Sequence, residues 1–130
     1  MKQQLLVLLS AIAAVFAPVQ QVMVVTLVIM SIDLILGILA AKKRKEPISS
    51  AGLRRTITKF FIYETSICLG FLVQQYMLSD LIPIVKIIST FIGITELKSC
   101  MENMDDINGE PILKAIIEKL GSSNQRVDGQ

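Results

Sequence analysis

The chain has 130 residues, of which 52% are hydrophobic and 18% charged, and its mean hydropathy of +0.61 is higher than that of a soluble domain of this size. The net charge of +2 is segregated: residues 42 to 59 hold seven basic side chains against the single Glu46, while residues 98 to 130 hold four basic against six acidic. Histidine is absent, Cys68 and Cys100 lack CxxC spacing, and no glycine-rich phosphate loop or GxSxG elbow occurs. No catalytic, metal or cofactor site is therefore expected, and the chain reads as a non-enzyme. The basic stretch carries no zinc-finger, RNP or helix-turn-helix pattern, so nucleic acid is not an expected partner, whereas a lipid bilayer is.

The N-terminal stretch MKQQLLVLLSAIAAVFAPVQQ has an apolar run over residues 5–17, broken at Pro18, Gln20 and Gln21. Two readings stay open. One is a signal-like segment with small residues at a cleavage site, after which Pro18 would follow the cut. The other is a short or re-entrant first membrane helix, below the usual spanning length.

Residues 22–41, VMVVTLVIMSIDLILGILAA, form the strongest membrane span. At the helical rise they cover about 30 Å, the thickness of a bilayer's hydrocarbon core. Their Leu, Ile and Val side chains contribute roughly −4 to −7 kcal/mol on the insertion scale, against about +3 for a central aspartate, so the segment inserts despite Asp33. Asp33, Gly37 and Ala41 share one face at i, i+4, i+8, a small-residue seam with a polar group beside it that suits an oligomer seam, the wall of a water-filled lesion, or a contact between Asp33 and another helix of the same chain. Lys42, Lys43, Arg44 and Lys45 follow at once and mark the cytoplasmic side.

The basic loop, residues 42–59, turns at Pro47 and restarts a helix at Ser49 or Ser50. Leu53, Ile57 and Phe60 then line one face, with Arg54, Arg55, Thr58 and Lys59 on the other, a spacing that suits an anionic membrane surface. A third segment spans residues 60–78 with Glu64 and Cys68 inside it, and Ser79 and Asp80 make the turn into a fourth, residues 81–97. In that fourth segment Lys86, Ser89, Thr90, Gly93 and Glu96 recur at helical spacing, forming a polar and small stripe expected to face protein or water. Glu64 and Glu96 lie toward the cytoplasmic ends of their helices, within reach of water or Lys59. Lys86 is a candidate ion-pair partner for Asp33, or else it snorkels.

Residues 98–120 read as a polar connector followed by a short amphipathic helix, with Pro111 in its first turn, Ile112, Leu113, Ile116, Ile117 and Leu120 on one face, and Gly121 as its stop. Residues 121–130 read as a flexible tail. The expected fold is an all-α integral membrane protein with three to four short transmembrane helices plus a C-terminal amphipathic helix, and residues 1–97 as the membrane domain.

The order Asp33, Gly37, Ala40 or Ala41, basic turn, Ser49 and Ser50, then Lys59 at the start of a span, resembles the toxin-secretion/phage-lysis holin family. The later run Glu96, Ser99, Glu102, Asn103, Gly109 and Pro111 ahead of a short C-terminal helix strengthens the resemblance, which covers roughly Ile29 to Leu120. It departs from the family pattern at Leu34 and Leu36, where an aromatic and a threonine are usual, and in the shortened Gly109–Glu110–Pro111 element. The resemblance implies a homo-oligomer in the bacterial cytoplasmic membrane that permeabilises it and pairs functionally with an endolysin or exported toxin. The rival expectations are a structural membrane anchor of a phage or secretion assembly and a small proton-coupled multidrug-type exporter.

Overall fold

The computed structural model describes residues 1–127, and those residues contain five α-helices and no strand. They are α1 (Lys2–Phe16), α2 (Gln20–Lys43), α3 (Ser50–Tyr76), α4 (Ile84–Asn108) and α5 (Ile112–Val127), with a single 3-10 turn, Ala17–Val19, between the first two. Two stretches, Lys2–Lys43 and Ser50–Tyr76, are long and apolar enough to cross a membrane. α4 is not one of them, because its apolar part ends at Leu97, about 20 Å from Ile84 at the helical rise.

Local chemistry sets most of the boundaries. Pro18 has no N–H to continue the ladder, and Phe16 and Val19 relax to ψ near 0°, so the break expected at Pro18 is one tightened turn rather than a loop. The Ser49 side chain accepts a hydrogen bond from the Gly52 N–H at 3.3 Å and starts α3. Ser79 and Asp80 adopt positive φ in the turn between α3 and α4. Pro83 caps α4 without a side-chain bond of its own, and Gln74 of α3 supplies the missing acceptor, taking the Val85 N–H at 3.0 Å. Gly109, at φ +79°, ends α4 in the left-handed region, and Asp105 then accepts the Ile112 N–H at 2.7 Å to start α5.

The contacts define the topology. Asn103 meets Asp33, Lys43 donates to the Ile107 carbonyl and Arg44 pairs with Asp106, so α4 runs parallel to α2. Lys59 meets Glu96, while Gly70 lies against Ile84 and Ile88, so α3 runs antiparallel to both. One end of this three-helix bundle is apolar, with Val19, Ile67, Phe71, Val85 and Ile92 buried together and Phe16 tilted on Phe71 at 6.1 Å. The other end is polar. No residue of α1 is buried, and Leu5, Leu6, Val7, Leu8 and Leu9 are all more than half exposed.

Several expected boundaries change. The polar connector after Leu97 is helix as far as Asn108, because Cys100 and Asn103 continue the buried face of α4 and the basic end of α2 supplies partners for its last turns. The helix that restarts at Ser50, as expected, runs without a break into the third segment, so that only residues 44–49 lie between α2 and α3. Gly121 does not stop α5, whose backbone stays helical to Val127; residues 128–130 of the expected tail, and the Leu113 side chain, lie outside the described residues. The seam on α2 is also rotated by one residue, since Ala40 is fully buried and Ala41 only partly.

α3 and α4 approach closely at Gly70, where an added Cβ would stand 2.6 Å from Ile88 Cδ1 and 3.2 Å from Ile84 Cγ2. Gly70→Leu is expected to destabilise the bundle by about 1 to 3 kcal/mol through overpacking. Thermal unfolding in detergent micelles measures it, and adding Ile88→Ala is expected to restore part of the loss.

Candidate functional site

The residues of interest converge where α2, α3 and α4 meet at the polar end. Glu96 of α4 has no exposed surface, and its carboxylate is reached from α3 by Lys59, with Nζ 2.8 Å from Oε1 and 3.0 Å from Oε2, and by the Tyr63 hydroxyl, which donates to Oε1 at 2.8 Å. Lys59 and Tyr63 are one helical turn apart, so both project the same way, and the ammonium lies 6.0 Å from the Tyr63 ring centroid. Asp33 of α2 stands beyond Lys59, with its Oδ2 4.0 Å from the ammonium, while Asn103 donates to its Oδ1 at 3.0 Å. The Asn103 amide also sits 3.6 Å from where a Cβ on Gly37 would be, so Gly37 makes the room for it. Two carboxyl groups thus share one lysine, with an amide and a phenol taking the remaining positions.

Lys59 therefore belongs inside the bundle, with its side chain 31% exposed, rather than on the membrane-surface basic face with Lys42, Lys43, Arg44, Lys45, Arg54 and Arg55, which are all exposed. Arg44 bonds Glu46 at 3.0 Å, and this bond, with Asp106 also nearby, pushes the guanidinium pKa above its ordinary value. Lys86 does not meet Asp33. It is exposed and belongs to the opposite end of the bundle, because α4 runs parallel to α2 and carries Lys86 alongside the start of α2.

The stripe on α4 divides. Glu96 enters the network, while Ser89, Thr90 and Gly93 line a groove of about 420 Å³ with Pro18, Gln21, Thr26 and Ile29 across from them on the α2 side. Ser89 and Thr90 both donate to the Lys86 carbonyl, at 3.2 and 2.7 Å, and Thr26 donates to the Val22 carbonyl at 3.0 Å, so these hydroxyls are satisfied within their own helices. Glu64 stays apart from the network: it is 8% exposed, and neither carboxyl oxygen has a hydrogen-bond partner. Ser49 caps α3, Ser50 opens it, Gly109 closes α4 and Pro111 precedes α5, so these family-motif positions are structural punctuation. Ser99 is half-buried and Glu102 pairs with Lys98 on the outside at 3.7 Å. Tyr63 and Gly70 are the residues that sequence reasoning passes over; their signals are the i+4 spacing from Lys59 and from Ser66.

Apolar helices with an inward polar network define the chain as a helical membrane protein rather than a soluble bundle. A family model described as the bacteriophage holin family matches residues 10–124. The chain therefore belongs to the bacteriophage holin family, a membrane-permeabilising and non-enzymatic family, and its role lies in phage lysis at the inner membrane. No curated protein and no solved structure matches it.

Removing one partner of a buried ion pair costs about 3 to 5 kcal/mol, because the other charge is left without compensation. Lys59→Met is expected to lose stability of that order in detergent-micelle unfolding, and the double variant Lys59→Met with Glu96→Met to recover most of it. A loss in the double variant equal to the sum of the losses in Lys59→Met and Glu96→Met alone would show that the pair contributes no coupling.

Proposed function

We propose that the protein assembles as a homo-oligomer in the bacterial cytoplasmic membrane and opens lesions through which an endolysin or an exported toxin passes in host-cell lysis. In this reading α2, α3 and α4 cross the bilayer, with the basic residues 42 to 55 and α5 on the cytoplasmic side, as the positive-inside rule requires. α1 cannot simply prolong α2. The two helices in line would reach about 63 Å, twice the hydrocarbon thickness, so α1 turns aside at Ala17–Val19 as a short or re-entrant segment.

Family membership carries the reading, and the distribution of polarity supports it. Asp33, Gly37 and Glu96 serve packing inside each copy through Lys59, Tyr63 and Asn103. Ser89, Thr90 and Gly93 serve packing between copies or line water. Gly93 has nothing within 4 Å of an added Cβ, so the groove beside it has room for a helix from a second copy. Helix association in lipid relies on such small-residue surfaces, because lipid tails supply no hydrophobic drive between helices.

Inducible expression in a bacterium, following membrane potential and culture density with and without a cytoplasmic endolysin, tests the proposal. A delayed, abrupt loss of potential is expected, with lysis only when the endolysin is present; an intact potential after membrane insertion would reject autonomous permeabilisation. The Cβ of Gly93→Leu meets no atom of its own copy within 4 Å, and the rest of the side chain occupies the groove. It is expected to insert and fold normally yet abolish or long delay the collapse of potential.

A further inference from the structure

The three bundled helices carry apolar surfaces of different lengths, and their register does not allow the ends to be reconciled. On α2 the apolar surface runs from Gln21 to Lys42, about 31 Å at the helical rise. On α3 Lys59 turns inward and the apolar surface continues past it through the exposed Ile57, from Gln74 back to Arg55, about 29 Å, whereas on α4 it runs only from Lys86 to Lys98, about 18 Å. The outward face of α4 makes the limit sharp. Ile87, Phe91, Ile94 and Leu97 are 47 to 70% exposed, and directly below them the Lys98 and Glu102 side chains are 72% and 67% exposed.

One set of ends coincides. Gln21 shares a groove with Ser89, and Gln74 bonds the Val85 N–H, so the upper limits lie at one level. The lower limits do not. Lys59 and Glu96 are level with Asp33, and from there α2 continues for another nine residues, about 13 Å, to Lys42. Over that distance α2 still exposes Ile35, Ile38 and Leu39, at 56%, 37% and 48%. Tilting the bundle shortens all three helices together and leaves the difference in place.

We propose that the α4 face binds a locally thinned bilayer, with a hydrocarbon thickness of about 20 Å, while the α2 face of the same molecule fits an ordinary bilayer of about 30 Å. The partner at the α4 face is phospholipid with short acyl chains, or longer chains compressed and splayed to meet Lys98. Each copy then sets a step in membrane thickness across its own width. The inference rests on the reading in which all three helices span.

The chain contains no tryptophan, so a single one reports locally. Full-length Phe91→Trp, on the exposed face of α4, and Ile32→Trp, on the exposed face of α2, are reconstituted separately into vesicles. The vesicles mix ordinary and brominated phosphatidylcholines of fourteen to twenty-two carbons, and relative lipid affinity is read from quenching. Phe91→Trp is expected to prefer fourteen-carbon over eighteen-carbon chains by about threefold or more, since mismatch costs fractions of a kcal/mol per Å, while Ile32→Trp prefers eighteen. Adding Lys98→Leu and Glu102→Leu lengthens the apolar face of α4 and is expected to move the Phe91→Trp optimum to longer chains. The same eighteen-carbon optimum at both probes overturns the proposal and leaves the spanning reading intact. A Phe91→Trp signal that no lipid quenches overturns both, since α4 would then face protein or water.

Discussion

A carboxylate without exposed surface, Glu96, is the constraint around which the bundle is arranged. Withdrawing such a group from water costs several kcal/mol even after relaxation, and the arrangement holds only if hydrogen bonds and an opposite charge meet it in good geometry. Lys59 and Tyr63 do so from one face of α3, which fixes the rotation of that helix against α4. Glu96 and Asn103 lie two turns apart on α4, and Asn103 reaches Asp33, so the same network fixes α2. The apolar cluster at the other end, around Ile67, Phe71 and Ile92, adds packing but discriminates weakly between rotations. In lipid, where apolar side chains gain little by leaving the solvent, the polar end carries the specificity.

What is local in the chemistry is legible in the sequence. Helical class, the Ser49 cap and the Ser79–Asp80 turn each follow from side chains acting on their own backbone within a few residues. The long-range pairings are less legible. Charge alone makes Lys86 a candidate for Asp33, but the parallel course of α2 and α4 carries it to the opposite end, and only the register of α3 brings Lys59 into reach. The stretch after Leu97 reads as a connector because its average polarity is high. It is helix because the polar residues that raise the average, Asn103 and Asp106 among them, find partners on α2 and at its C-cap some sixty to seventy residues earlier. Gly70 sits in an apolar run where a small residue looks incidental, and its role becomes visible only when Ile84 and Ile88 of α4 are placed against it.

The polar groups of the membrane domain fall into two kinds, and the difference bears on how a lytic membrane protein can remain harmless before it acts. Glu96, Asp33 and Lys59 are satisfied only by one another's helices, so they stabilise a single arrangement and resist its opening. Thr26, Ser89 and Thr90 are satisfied by carbonyls one turn back in their own helices, and they keep those bonds whether the groove faces lipid, a second copy or water. A surface whose hydrogen bonding is indifferent to its surroundings can exchange one neighbour for another at little enthalpic cost. On the proposed reading, bistability therefore resides in the hydroxyl-lined groove between α2 and α4. The buried ion network keeps each copy intact while its neighbours change, so a small difference in packing or local bilayer thickness is enough to select the assembled state.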